Sequence, residues 1–563
     1  MIIHFLYRVR IPLVLALGAF DAWAGRGSIM TGDTIGYMDM ANAIADGDLG
    51  KAVNGYWSPL YPLLLSLPFR PFVDDPAGQF VVARSVNFLI FLLTVGAFEI
   101  LLRHLAARRL SLSTCAPPGW SFLPQQHFVV AAYAAFVWAC FSLNIVARLS
   151  PDNWVLAMLL FDVSVLLSLE SATAKPRRYI LFGFMLGMGY WVKAILFPIG
   201  LIILGVAVCH PALRGRKKML WLSAATLGVV AAPLVILESI HCDRFTFGET
   251  GRLNYAWYVN KVHNAFHWQG GEPGQGVPVH PTRLIHENPA IYEFATPFAT
   301  TYPPWTDPSY WYQGVKVRFE LSRQIIVIAK NSFLLAKYLI LRTYLMPVLA
   351  IILIFTYWKM KSPAAWTKVG RATSPVWIIS LLYIVVYVAV YIDERHVAGS
   401  LLLLSLCMIM LVATRGEKWA DRVVYLLIVA SAAGAAPRLV DAAYHVISQG
   451  GSVRDWRWAV ADEIRRIGLP PRTPVGLIGT PGDSDWAYTA QVLIVAEVGY
   501  VPGTFQTDKD AFWALDEAGR QSVLDIFRRV GAKLVVASSL PPNCDTQGWT
   551  QIPNTKLYYY ELE

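Results

Sequence analysis

Residues 148–218 read RLSPDNWVLAMLLFDVSVLLSLESATAKPRRYILFGFMLGMGYWVKAILFPIGLIILGVAVCHPALRGRKK. Three apolar runs, 152–171, 178–192 and 194–210, follow one another here. The junction between the first two is basic (Lys175, Arg177, Arg178), and the third run closes on Arg214, Arg216, Lys217 and Lys218. The breaks at 148–151 and 193 are short and carry little charge. A run of about 20 apolar residues matches the thickness of a bilayer, and Lys and Arg collect at cytoplasmic ends. Alternate junctions therefore face opposite sides, and the stretch reads as consecutive membrane spans.

Working outward, eight further runs have the same character, near 9–25, 80–102, 127–147, 219–239, 335–358, 375–393, 396–414 and 422–440. Arg8 and Arg10, then Arg103, Arg108 and Arg109, then Lys359, Lys361, Lys368 and Arg371, then Arg415, Lys418 and Arg422 mark the remaining cytoplasmic ends. Residues 26–79, the loop 240–334, 393–396 and everything after 440 fall on the other side. About eleven spans with the N-terminus inside place the C-terminus outside, in a multi-pass protein of the cell inner membrane. The first run contains Asp21 and has no clean small-residue cleavage site, so it reads as a retained span rather than a signal peptide.

Composition agrees. Of 563 residues, 55% are hydrophobic and 15% charged, against about 25% charged in a soluble domain, and the mean hydropathy is +0.45. Disorder, collagen and an ordinary soluble enzyme are excluded. The net charge of +10 is spent on orientation, so nucleic acid is not an expected partner. Cys115, Cys140, Cys209, Cys242, Cys407 and Cys544 form no CxxC pair, and neither a disulfide framework nor a zinc knuckle is indicated.

The parts outside the spans read as follows. In residues 26–79 a helix begins near Asp33, capped by that carboxylate or by Thr31, and a second runs from Pro59 to about Leu67. Both are expected to lie on the membrane surface as amphipathic helices. The loop 240–334 holds His241, His263, His267, His280 and His286 and many aromatic residues, a pattern suited to a sugar ring, an isoprenoid chain or an interfacial belt. His263 and His267 have the spacing of a metal pair on a helix but lack an HExxH glutamate. After 440 the composition becomes that of a soluble chain. Strands are expected at 474–479, 533–538 and 556–562 and helices at 486–497 and 509–530, so 450–563 reads as a small extracytoplasmic α/β domain attached to a membrane module over 1–440. The segment Gly479-Thr480-Pro481-Gly482-Asp483 lacks the lysine of a phosphate loop and reads as a turn.

Ionisable residues at membrane depth are costly and therefore candidate functional groups. Asp33 in GDTIGYMDMANAI, Arg148 and Asp152 in ARLSPDNW, Lys193 in GMGYWVKAILFP, and Glu394, Arg395 and His396 in YIDERHVAG all map to the outer side. No ATP is available there, so an enzyme needs a donor already activated on a lipid.

The layout and these segments resemble the GT-C superfamily of integral membrane glycosyltransferases, in particular the branch of the protein O-mannosyltransferases and lipid A aminoarabinose transferases. Asp33 and Tyr37 match a D-x3-Y motif after the first span. Trp57-Ser58-Pro59-Leu60-Tyr61-Pro62 partly matches KPPL-x-YW. A short outer turn ending in Asp152, an L-x-K-like segment at Lys193 and an E-R-Y/H junction at Glu394-Arg395-His396 complete the order over residues 1–440. Two departures are Thr34, where a second acidic residue is usual, and Ser58 in place of the KPPL lysine. The resemblance implies sugar transfer from a polyprenyl-phosphate donor to a lipid, glycan or protein acceptor. It assigns Asp33 as base, with Asp152 orienting the acceptor or sharing a cation. Lys193, Arg395, Arg148 and His396 would hold the donor phosphate, and Tyr37, Tyr61 and Glu394 would contact substrate. A divalent ion (Mg or Mn) between Asp33 and Asp152 suits the chemistry; no nucleotide cofactor is implied. Competing classes are an O-antigen-type polymerase or ligase, and a lipid or glycan transporter, for which an inverted repeat is not visible.

Overall fold

The computed structural model describes residues 1–24, 31–262, 283–294, 300–310, 314–448, 456–499, 508–538 and 547–562, apart from positions 145, 172, 343, 481 and 483. It is mainly helical. Among the described residues seven helices are long and apolar enough to cross a membrane: Ile2–Ala24, Pro76–Leu112, Gln125–Leu143, Asp152–Leu169, Pro211–His241, Glu394–Leu411 and Glu417–Ser448. Two bent pairs, Leu321–Ile340 with Leu345–Met360 and Pro363–Ala372 with Ser374–Val388, raise the number to nine. The two remaining expected runs form the helices Pro176–Val192 and Leu196–Cys209, of 17 and 14 residues. Every one of the eleven runs is thus helical, while seven to nine satisfy the length test.

The break between those two short helices has a local cause. Pro198 cannot donate to the carbonyl of Ala194 and its ring would collide with it in a continuous helix. The chain therefore opens at Lys193, whose backbone is extended (φ −158°, ψ 130°), and restarts at Leu196 so that Pro198 falls in a first turn, where no N–H is missed.

The chain divides into two compact units. The first comprises Met1–Gly25, Arg84–Ile236 and Leu321–Gly451. Its helices pack through aromatic and small residues. Phe98 and Phe136 stack at 4.4 Å. A Cβ on Gly183 would stand 2.1 Å from the Ser223 carbonyl oxygen, and one on Gly187 would stand 2.7 Å from Val230. Small residues four apart let two membrane helices approach backbone to backbone, which replaces the hydrophobic drive that lipid removes.

The second unit comprises Arg26–Ala83, Leu237–Glu320 and Ser452–Glu563. Its sheet has seven strands: β1 (Arg283–Glu287), β2 (Ala290–Glu293), β3 (Pro474–Ile478), β4 (Leu493–Val498), β5 (Leu534–Ser538), β6 (Thr550–Gln551) and β7 (Leu557–Glu561), in the order β1-β2-β4-β3-β5-β7-β6. β4, β3 and β5 are parallel and the other pairs antiparallel. All residues of β4 and β5 are buried, as parallel strands covered on both faces require. Two differences from expectation stand out. The helix expected over 486–497 stops at Ala490, and Leu493–Val498 is a strand, because its apolar residues are continuous and one-sided patterning is absent. The sheet also takes β1 and β2 from the long loop, which a boundary at 450 leaves out.

The helix Gly32–Ala45 also differs from its expectation. Every residue from Thr34 to Ala41 is buried, so it is a core element of the second unit rather than a half-buried surface helix. The helix Leu60–Phe69 buries Tyr61, Leu65 and Phe69 and exposes Leu64 and Leu67.

Candidate functional site

In the first unit, three separate segments converge on one carboxylate. Asp152 opens the helix Asp152–Leu169, where an acidic side chain meets the positive end of the helix dipole. It is 6% exposed. Lys193 Nζ lies 2.5 Å from its Oδ1 and Arg395 Nη1 3.2 Å from its Oδ2. Ser150 Oγ donates to the same Oδ2 at 3.0 Å. Lys193 comes from the break described above. Arg395 stands in the first turn of Glu394–Leu411, whose N-cap Asp393 accepts from the Arg395 N–H at 3.1 Å and approaches the guanidinium at 3.8 Å. His396 stacks on Tyr387 at 4.8 Å. Its buried Nδ1 has no hydrogen-bond partner among the described residues, and neither has the buried Nε of Arg148.

The turn that carries Arg148 and Asp152 is pinned from outside. Asp21 accepts from the Ala147 N–H at 2.9 Å, Arg84 donates to the Ala147 carbonyl, and Asn87 donates to the Arg148 carbonyl at 2.6 Å. Asp21 is fully buried and faces Arg438 Nε at 3.5 Å. Sequence reading missed Arg84, Asn87 and Arg438 in this role. The signal was present, since polar residues inside apolar runs are the same kind of exception as Lys193.

In the second unit, Asp33 lies in the first turn of Gly32–Ala45, half-buried, and Thr31 is the cap, accepting from the Thr34 N–H. The glycines of GDTIGY explain how this end is held. A Cβ at Gly32 would stand 2.3 Å from the Trp305 ring, and one at Gly36 2.9 Å from the Trp305 carbonyl oxygen. Trp305 donates to Ser484 Oγ at 2.9 Å and accepts from Trp57 Nε1 at 3.0 Å. Tyr37 packs edge-on against Trp57 and Tyr61, at 4.9 and 5.2 Å. Tyr37 and Tyr61 are 3% and 0% exposed, so both rings build the core behind Asp33.

Further along the same helix, Asp39 accepts from the Thr301 N–H at 3.1 Å and hydroxyl at 2.7 Å. The Thr301 carbonyl in turn accepts from Ile494 of β4 at 2.9 Å. Burial pushes the Asp39 carboxyl up to about 7, against the opposing pull of Thr301 and Arg472. Asn42, Gln79 and Tyr488 close a ring of hydrogen bonds beside it, and burial pushes the Tyr488 phenol well above its ordinary range.

A divalent ion shared by Asp33 and Asp152 does not suit the Asp152 end. Each oxygen there already faces a cation, so a metal would have to displace an ammonium and a guanidinium or bear their repulsion. Among the described residues no group of three or more His, Cys, Asp or Glu is placed to hold a metal. His263 and His267 lie outside the described residues, as do Pro481 and Asp483 of the glycine-containing turn.

No family model matches the chain, and no curated protein matches it in sequence. Solved structures do match. ArnT from Cupriavidus metallidurans bound to undecaprenyl phosphate is 11% identical with a TM-score of 0.53, covering 98% of this chain and 97% of that one. Its apo form gives the same score over 98% and 96%. The chain has the GT-C fold. An Archaeoglobus fulgidus oligosaccharyltransferase tethered to an acceptor peptide aligns with a TM-score of 0.47 and 11% identity over 95% of this chain and 70% of that one.

Within the first unit, the structure brings Asp152, Lys193 and Arg395 together and stacks His396 on the ring of Tyr387, in the helix preceding Arg395. Arg148 sits in the pinned turn, and Glu394 is the first residue of the Arg395 helix. Asp33, Tyr37 and Tyr61 form their own group in the second unit.

Proposed function

We propose that the protein is a membrane glycosyltransferase that moves one sugar from a polyprenyl-phosphate donor to an acceptor on the extracytoplasmic face, by a single displacement with inversion. The observation that carries the reading is the convergence of Lys193 and Arg395 on Asp152, with buried nitrogens of His396 and Arg148 that have no hydrogen-bond partner among the described residues. That is an anion site where an anion is otherwise expensive. The likeness of fold to a protein solved with undecaprenyl phosphate supports a polyprenyl phosphate as that anion.

The Asp33 carboxylate takes the acceptor hydroxyl proton as the oxygen bonds to C1 of the sugar. The C1–O bond to phosphate breaks, and the lipid phosphate leaves with the electron pair. Lys193 and Arg395 stabilise the growing phosphate charge, helped by Arg148 and His396. Asp152 acts differently from its expected roles as acceptor contact or metal ligand: it aligns the two cations. Glu394 contacts substrate, while Tyr37 and Tyr61, expected to do so, instead support Asp33 from the core. The donor brings its own activation, so the reaction needs no nucleotide. The proposed setting is the inner membrane, with eleven crossings, the N-terminus in the cytoplasm, and the module over 1–440 and the segment 450–563 acting together. A reporter fused after Glu563 is expected outside and one near Lys217 inside.

The test is native mass spectrometry of the purified protein for retained undecaprenyl phosphate. Incubation with a panel of undecaprenyl-phosphate sugars and cell-envelope acceptors follows, scored by release of the lipid phosphate. Retention that is unchanged in Lys193→Ala and Arg395→Ala, with no release from any donor, would sink the proposal.

A further inference from the structure

The helix Gly32–Ala45 carries Asp39, Asn42 and Ala43, with Asp46 at its C-cap, and the spacing i, i+3, i+4, i+7 puts them on one face. That face lines a cavity within the second unit. About 110 Å³ of it is open to water, several times the ~10–15 Å³ that one water needs and below the ~300 Å³ of a site that encloses a whole small molecule. Its floor is built. Asn42 donates to Tyr488 Oη at 3.0 Å, Gln79 Nε2 donates to Asn42 Oδ1 at 2.6 Å, and Tyr488 donates to Gln79 Oε1. Asp39 and Gln79 also line the cavity and are 4% and 1% exposed, yet among the described residues each keeps one place unused. Both Thr301 bonds reach Asp39 Oδ2 and none reaches Oδ1. Gln79 Nε2 has two hydrogens and one acceptor. Asp46, Asp74 and Arg472 stand exposed at the mouth. The mouth is fixed by the Arg472 N–H, which donates to the Gln491 carbonyl at 2.6 Å, and by Gln491 Nε2, which donates to the Val73 carbonyl at 2.9 Å.

We propose that this cavity binds one uncharged sugar residue by an edge of its ring, with hydroxyls on Asp39 Oδ1 and Gln79 Nε2 and a further hydroxyl on the Arg472 guanidinium. A buried acceptor and a buried donor in one cavity call for groups that both give and take hydrogen bonds, and a hydroxyl does both. The mouth repeats the alternation, with two carboxylates that only accept and a guanidinium that only donates. Other occupants fit worse. An anion meets three carboxyl groups against one guanidinium. An ammonium offers the Gln79 N–H and Arg472 no acceptor. A metal ion lacks a placed group of three ligands among the described residues, and an apolar group leaves the polar floor desolvated and unpaired. The size admits a ring edge, so the remainder of the sugar lies at the mouth. None of the residues assigned to sugar transfer lines this cavity, and the inference stands independently of that reading.

The test uses the full chain, purified in a detergent without a sugar headgroup and with no lipid-linked donor present. It is titrated with the methyl glycosides of mannose, glucose and galactose, and with methylammonium and inorganic phosphate as controls. Binding is read by calorimetry and by saturation-transfer NMR, and the melting temperature is followed in parallel. At least one glycoside is expected to bind, with both controls well below it. Arg472→Asn sits at an exposed position whose left-handed backbone (φ 64°) asparagine tolerates. It is expected to weaken that glycoside about tenfold, the loss of one hydrogen bond from a charged donor. Asp39→Asn keeps an oxygen for Thr301 and turns an amide toward the cavity where an acceptor stood, and is expected to weaken binding at least as much. Should that variant not fold, Arg472→Asn alone decides. Binding of no glycoside, equal binding of either control, or a glycoside affinity that Arg472→Asn leaves unchanged would each overturn the proposal.

Discussion

The two units hold their buried carboxylates in opposite ways. Asp152 is answered by charge, from Lys193 and Arg395. Asp39 is answered by neutral donors, the N–H and hydroxyl of Thr301. The difference teaches what each site is for. A carboxylate among cations keeps those cations in place, whereas a carboxyl hydrogen-bonded by neutral donors retains access to its proton. The first arrangement suits the anion-binding centre proposed above; the second joins the helix that carries Asp33 to Thr301.

Breaking the charged arrangement should cost the most. Asp152→Ala takes its carboxylate from the half-buried Lys193 ammonium and leaves the half-buried Arg395 guanidinium with Asp393 at 3.8 Å, a cost approaching the about 3–5 kcal/mol of breaking a fully buried pair. A large fall in melting temperature is the expected result. A variant as stable as the parent would mean that Lys193 and Arg395 find other partners and that Asp152 does not organise them.

Asp33→Asn comes next. Loss of a general base lowers transfer by roughly 100-fold or more, with donor retention and melting temperature unchanged. Near-normal transfer would remove Asp33 from the reaction.

The neutral arrangement predicts a pH effect. The folded-state value of Asp39, about 7, lies above its unfolded value of about 3.9. The folded chain therefore binds the extra proton between the two values, and the associated stability, complete below pH ~4, is lost as pH rises toward 7. The slope is at most about 1.4 kcal/mol per pH unit, that of one proton. Unfolding measured from pH 4 to 8 should show this decline in the parent and a shallower one in Asp39→Asn. A parallel decline in both would assign it to another group.

The smallest effect is expected from Arg395→Lys, which keeps the charge and gives up the planar fork. Polyprenyl-phosphate affinity should fall roughly fivefold, about 1 kcal/mol, one hydrogen bond's worth. Unchanged affinity alongside a lower melting temperature would make Arg395 a helix-end anchor only.

The members of the charged arrangement were legible in the sequence, though not their pairing on Asp152; the neutral arrangement was not legible at all. Lys193 and Asp152 interrupt apolar runs, and such interruptions are visible one residue at a time. The helical runs were legible for the same reason. What escaped reading depends on partners distant in the chain. Nothing local announces that Thr301 meets Asp39 or that Tyr488 meets Asn42. The strand Leu493–Val498 was read as helix because a short apolar run fits either state until its neighbours are known. The surface placement expected for Gly32–Ala45 failed similarly, since the partners that bury Asp39 and Asn42, Thr301 and Tyr488, are far away in the chain.

The pairing of Ile291 in β2 with Val498 in β4 has a consequence for synthesis. Contacts between such distant residues form slowly, since the entropy of closing so long a loop must be met before they stabilise anything. Here that loop includes the helices from Leu321 to Ser448, and β4 itself emerges only after them. Trp305, which presses on Gly32, waits likewise for its hydrogen-bond partner Ser484. A nascent chain thus carries Asp33 long before the surroundings that hold its helix exist, and a ribosome that stalls before the final strands releases a product in which that helix is not yet secured.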